Sequence, residues 1–168
     1  MSTNEVSSKP YDLIVFGATS FVGQILTHYL VETLGVNSDI SWAIASRSES
    51  KLATLKDSLG TIASELPVLI ADSHDEASLQ ALCSQTRVVI STVGPYALYG
   101  ELLIKTCAET GTDYTDLTGE AHWIGQMKEK YNQAAEASGA RIVNCCGFDS
   151  IPSDMGVFAM QQRAQAKF

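Results

Sequence analysis

The chain has no apolar run approaching the roughly 20 residues that cross a bilayer, so no transmembrane segment is expected. Its leading stretch, MSTNEVSSKP, is polar and lacks the apolar core of a secretory signal. Basic residues are scarce: 11 Lys and Arg stand against 19 Asp and Glu, for a net charge of −8. Nucleic acid and anionic membrane both require a basic surface, so neither is expected as a main partner, and any anion site must be local. The cysteines Cys83, Cys107, Cys145 and Cys146 form no CxxC pair and no Cys/His spacing suited to zinc. They read as reduced thiols of a cytoplasmic protein, with no metal site. No tyrosine has a lysine four residues on, which removes the Tyr-x-x-x-Lys pair of an epimerase-like or reductase-like enzyme. His122 and the Cys145–Cys146 pair have no visible triad partners and are not read as catalytic.

What is present is a core-forming chain of 168 residues, 45% of them hydrophobic, enough for one globular domain. Short apolar runs alternate with segments of helical period. Strands are expected at 12–16, 41–46 (SWAIAS), 67–71 (PVLIA), 87–91 (RVVIS), 113–117 (DYTDL) and 140–145 (ARIVNC). Helices are expected at 21–34, 49–59, from a Ser73/Glu76 capping box to about Cys83, and at 101–110, 121–138 and 152–165. Strict alternation implies right-handed crossovers and an α/β fold, a doubly wound and mainly parallel sheet of six or more strands. Residues 1–10 read as a flexible leader and residues 11–168 as the domain. The last helix has barely begun to bury Met155, Phe158 and Ala159 when the sequence stops, so a further domain is expected beyond it.

The stretch that organises the rest is Tyr11–Gly23, YDLIVFGATSFVG: an apolar strand, a glycine turn, then a helix. This is the layout of a dinucleotide-binding βα unit, in which unpaired N–H groups at the helix start and the helix dipole hold a pyrophosphate. Gly17, Ala18, Thr19, Ser20, Phe21, Val22 and Gly23 are therefore cofactor-binding candidates, with Ser20 where the fingerprint usually has glycine. In an NAD-binding unit an acidic residue ends the second strand and accepts from the ribose 2′-OH. Here that position reads Ser46-Arg47-Ser48, with Lys51 one turn on. The planar donor fork of Arg47 suits a 2′-phosphate, and the two serines can add hydroxyl donors, so NADP(H) is expected in preference to NAD(H).

Asp72, directly after the third strand, is either an acceptor for the adenine amino group or a helix cap. His74 and Tyr99 are expected to stand outside the site. Thr92, Val93, Gly94, Pro95 and Tyr96 follow the fourth strand at the carboxyl edge of the sheet, where ligands of such folds lie. Asp116, Gly119 and Glu120 follow the fifth strand, and Asp149 and Ser150 the sixth. These are candidates for the substrate side, weighed against the plainer role of capping helices.

GATSFVG, the SR pair in ASRSESKL, STVGPYALYGELLIKTC, DYTDLTGE and CCGFDSIPSDMG together resemble the saccharopine dehydrogenase-like oxidoreductase family, which includes trans-acting enoyl reductases. The resemblance runs from Tyr11 onward. It implies an NAD(P)-binding Rossmann domain followed by a larger substrate and dimerisation domain. It also implies that Gly17, Ser20 and Gly23 form the turn, that Arg47 reads the 2′-phosphate, and that Val93–Tyr96 lie near the nicotinamide. The expected chemistry is hydride transfer to or from an imine, amine or enoyl group of a small-molecule or lipid-like substrate. The domain alone is expected to be inactive. The alternative is a non-catalytic NADP(H)-binding scaffold or redox-sensing interaction protein.

Overall fold

A computed structural model describes residues 9–167, so most of the expected leader lies outside the described residues. Six strands form one parallel sheet: β1 Tyr11–Phe16, β2 Trp42–Ser46, β3 Val68–Ile70, β4 Thr86–Ser91, β5 Asp113–Asp116 and β6 Ile142–Val143. Their order is β3-β2-β1-β4-β5-β6, so the chain reverses direction across the sheet between β1 and β4. The connecting helices are α1 Phe21–Thr33, α2 Glu49–Leu59, α3 Glu76–Cys83, the single turn α4 Tyr96–Tyr99, α5 Glu101–Thr110 and α6 Ala121–Ser138, with α7 Ile151–Lys167 after β6. The expected doubly wound α/β architecture is thus observed.

Period-two alternation divides each strand between two cores. Ile14 and Phe16 point into one, with Leu79 and Leu82 of α3, Leu103, Ile104 and Cys107 of α5, and Trp123 and Met127 of α6. Val15 and Ile44 point into the other, with Leu30 and Val31 of α1 and Leu52 and Leu55 of α2. Strands buried on both faces must be apolar throughout, which is why β1 and β2 carry uninterrupted apolar runs.

The second face is only half covered, because α1 and α2 lie over β1–β3 while α3, α5 and α6 all lie opposite. One register row shows the consequence: Ile44, Val15, Ile90, Thr115 and Val143 are aligned side by side across the sheet. The first two are fully buried, Ile90 and Thr115 are half-buried, and Val143 is 52% exposed. Gln24 of α1 faces α2, where it shares a depression with Lys51, Thr54 and Ser58. At 100° per residue the opposite flank of α1 carries Val22, Ile25 and Tyr29, all exposed. Helix α7 buries no residue, although Met155, Val157, Phe158 and Met160 are apolar.

Several boundaries depart from expectation. Strand β3 pairs only through Val68–Ile70, and β6 only through Ile142–Val143. The chain leaves the sheet after β6 because Cys145 turns at φ +61° and sends its N–H to the carboxylate of Asp116 at 3.0 Å. The Ser73/Glu76 capping box does not form: Asp75 caps α3, accepting from Ala77 N at 3.1 Å. An Asp placed at the N-cap itself outcompetes a serine two positions earlier. Pro152 lies within α7, which starts one residue earlier than expected.

The tightest approach at any glycine is between α1 and the β1 turn. A Cβ on Gly23 would sit 2.2 Å from the carbonyl oxygen of Gly17 and 2.8 Å from Ala18 Cα, both backbone atoms that cannot swing aside. Gly23→Ala is therefore expected to destabilise the protein by about 1–3 kcal/mol, measured by urea unfolding; an unchanged midpoint would contradict this packing.

Candidate functional site

The β1 turn is built so that the α1 amides face outward. Gly17 adopts φ +87°, and a Cβ there would meet Val93 Cγ2 at 2.6 Å and Thr92 Oγ1 at 2.9 Å. The position is thus closed to any other residue by both backbone and space. The N–H groups of Gly17 and Ala18 both donate to Ala45 O of β2, at 2.9 and 3.1 Å. Ser20 caps α1: its Oγ accepts from Gly23 N at 2.9 Å and donates to Thr92 Oγ1 at 3.1 Å. Serine thus replaces the usual glycine at little cost, since its hydroxyl is consumed as a cap and as a strap to β4. Among the described residues no acceptor takes the amides of Phe21 and Val22. These are the orphan donors at which an anion binds.

A cleft of about 410 Å³ opens above this turn, at the switch point between β1 and β4. Gly17, Thr19 and Ser20 form its floor, Ser46, Arg47, Ser48 and Lys51 one end, and Val93, Gly94 and Pro95 the other, with Ser73 and Tyr99 completing the wall. Thr19 Oγ1 lies 2.8 Å from Ser46 Oγ, tying the turn to the end of β2. Ser48 caps α2, accepting from Lys51 N at 3.4 Å. Arg47 is exposed and has no ion pair among the described residues. Local positive charge therefore gathers at one end of the cleft of a strongly acidic chain.

Two expected cleft residues are placed otherwise. The Asp72 carboxylate accepts from His74 N at 3.0 Å and faces His74 Nδ1 at 3.2 Å, an Asx-type turn rather than a cap of α3. The His74 N–H, with lesser help from the His74 ring and the Arg47 charge, holds this carboxyl below its usual range. Tyr96 turns inward, 6% exposed, and its hydroxyl donates to Ser91 O at 2.9 Å. Its place at the cleft is taken by Tyr99, which His74 meets edge-on with ring centroids 5.3 Å apart. Packing decides the exchange: Tyr96 lies against Trp123 with ring centroids 5.8 Å apart and its hydroxyl is tied to Ser91, while Tyr99 meets His74. Phe16, Ala71, Ser73 and Tyr99 are the lining residues outside the expected set, and the position of Ala71 and Ser73 in the loop after β3 was the available signal.

The two acidic residues at and just after the end of β5, Asp116 and Glu120, are consumed by the fold. Asp116 is 2% exposed and accepts from Tyr114 Oη at 2.9 Å, Thr118 N at 3.1 Å, Asn144 Nδ2 at 2.7 Å and Cys145 N at 3.0 Å. Glu120 accepts from Tyr96 N at 2.7 Å and Ala97 N at 2.9 Å. Asp149 is exposed on the loop before α7, near Gly119, and Ser150 is half-buried beside it. Among the described residues no cluster of His, Cys, Asp and Glu is placed to hold a metal ion. No helix among them is long and apolar enough to cross a membrane.

A parallel sheet with this strand order, an orphan-amide helix start behind a glycine turn, and a cleft at the switch point define a Rossmann nucleotide-binding domain. Over residues 13–143 the chain matches the family described as saccharopine dehydrogenase NADP binding domain, and it belongs to that family. A trans-acting enoyl reductase of Mycobacterium ulcerans is 38% identical over 158 residues, spanning 94% of this chain and 37% of that protein. A lipid droplet localized protein of Caenorhabditis elegans is 42% identical over 151 residues, spanning 88% of this chain and 35% of that protein. The chain thus spans little more than a third of these relatives. Among solved structures, apo saccharopine dehydrogenase (L-Glu forming) of Saccharomyces cerevisiae superposes with a TM-score of 0.66 at 21% identity, over 93% of this chain and 32% of that one. The triphenylmethane reductase of a Citrobacter species, complexed with NADP(H), gives 0.55 at 16% identity over 80% and 48%. At such identities these two structures share the fold. The chain is an NADP-binding domain of an oxidoreductase family.

Burial pushes the Tyr96 phenol up to about 12, with the nearby Asp116 and Glu120 charges adding to the shift. The folded phenol therefore keeps its proton to higher pH than the unfolded one, so its contribution to stability is complete below about pH 10 and is lost as pH rises towards 12. Unfolding midpoints in urea should fall across that window, and Tyr96→Phe should make the fall shallower. An identical slope in wild type and variant would contradict the buried placement.

Proposed function

We propose that this chain is the cofactor half of an NADP(H)-dependent oxidoreductase in which Arg47 selects the 2′-phosphate. One observation carries the reading: an unpaired arginine at the end of β2 lines the same cleft as Gly17, Thr19 and Ser20, the turn that leads into the orphan amides of α1. The residues fit the cofactor. The α1 amides take the pyrophosphate, Arg47 with Lys51 and Ser48 takes the 2′-phosphate, and Tyr99 and Ser73 flank the adenine end. Val93, Gly94 and Pro95 border the nicotinamide end. When bound, the cofactor supplies hydride transfer. The chain's own residues bind and orient it and shield one side from water.

The other half of the reaction lies elsewhere. Asp116 and Glu120 are spent on internal hydrogen bonds, so the substrate side needs groups from outside these elements. We infer that the uncovered half-sheet around Ile90 and Val143, the flank of α1 and the apolar side of α7 pack against a substrate domain of a longer protein. The length of the relatives supports this. The name of the Mycobacterium ulcerans relative favours an enoyl group over an imine as the hydride acceptor. Domain 11–168 by itself is then a cofactor-binding unit without turnover.

Hydrogen bonds to a charged group contribute about 1.5–3 kcal/mol. Arg47→Ala should therefore weaken NADPH binding about 10- to 100-fold while leaving NADH within about twofold, since the latter offers no phosphate to Arg47. Fluorescence titration of both nucleotides checks this, and an equal loss for the two would remove the role given to Arg47.

A further inference from the structure

The wall of the cleft at the β4 end has no support from its own helix. Helix α4 is a single turn preceded by Pro95, which offers no side-chain cap, so its first amides need acceptors from elsewhere. Glu120 supplies them from the next loop, one oxygen to each: Oε1 takes Tyr96 N at 2.7 Å and Oε2 takes Ala97 N at 2.9 Å. The pair is charge-assisted and two-pronged, which fixes position as well as adding strength. A second tie runs nearby, where Leu117 N donates to Tyr96 Oη at 3.4 Å and Tyr96 Oη donates to Ser91 O at 2.9 Å. The loop after β4 is thus anchored to the loop after β5 at the exact residues that follow Val93, Gly94 and Pro95. Those three carry no side-chain polar atom that could hold them against a ligand.

Resting on the reading of the cleft as an NADP(H) site, we propose that Glu120 is a positioning residue for the nicotinamide end. Its carboxylate holds the Val93–Pro95 wall in place and touches no cofactor itself. The adenine end, bordered by Arg47 and Lys51, is organised by β2 and α2 and does not depend on it. The cofactor can therefore be divided into a half that feels Glu120 and a half that does not.

The test compares NADP+ with adenosine 2′,5′-bisphosphate, which contains only the adenine and 2′-phosphate end, by calorimetric titration of the full chain. Glu120→Ala should weaken NADP+ at least tenfold and leave the bisphosphate within twofold. Glu120→Gln keeps one acceptor oxygen and should give an intermediate loss for NADP+ alone, and it serves in place of Glu120→Ala should that variant lose its cooperative thermal transition. Equal losses for the two probes, or no loss of NADP+ in either variant, would overturn the positioning role. Failure of the wild-type chain to bind either probe would instead overturn the reading of the cleft, and the inference with it.

Discussion

Everything at the ligand edge depends on one backbone contact, where α1 passes over the carbonyl of Gly17 with no room for a Cβ at Gly23. That approach brings the helix start, with its unpaired amides, down onto the sheet beside the cleft-lining turn of Gly17, Thr19 and Ser20. It also leaves Gly17 within reach of Thr92, whose Oγ1 donates to the Gly17 carbonyl at 2.9 Å. One close contact therefore joins the first strand, the first helix and the loop after β4. A larger residue at either glycine would disturb all three together.

From that contact outward, the carboxyl edge of the sheet is fastened loop by loop. Thr19 and Ser46 link β1 to β2, Ser20 and Thr92 link β1 to β4, Glu120 links β4 to β5, and Asp116 links β5 to β6. The Glu120 and Asp116 links give acceptors to backbone N–H groups, and such a group buried without a partner costs about 1–3 kcal/mol. Asp116 and Glu120, which look catalytic in a one-dimensional reading, are thereby accounted for as fasteners. Arg47 and Lys51 stand out against them as charged cleft residues whose side chains make no ion pair among the described residues.

The architecture was legible because it is written in periods and punctuation: apolar runs for buried parallel strands, helical spacing between them, and glycines at Gly35, Gly60, Gly111 and Gly139 that all adopt positive φ at or near helix ends. The glycine turn and the basic end of β2 were legible for the same reason, being local in sequence. What escaped was non-local. Nothing near Glu120 in the chain reveals that its carboxylate serves amides 23 and 24 residues away. Likewise Tyr96 and Tyr99, three residues apart, share one side of a helical turn, so which one enters the cleft is decided by packing against Trp123 and His74. The short span of β6 was also hidden, since it is the Asp116 carboxylate that draws Cys145 out of the ladder.

The central claim is that the end of β2 makes this an NADP(H) site rather than an NAD(H) site. Calorimetric titration of the unaltered chain with NADPH and with NADH, at one ionic strength, tests it most directly. The account predicts at least tenfold tighter binding of NADPH, whereas equal affinity or tighter binding of NADH would contradict it.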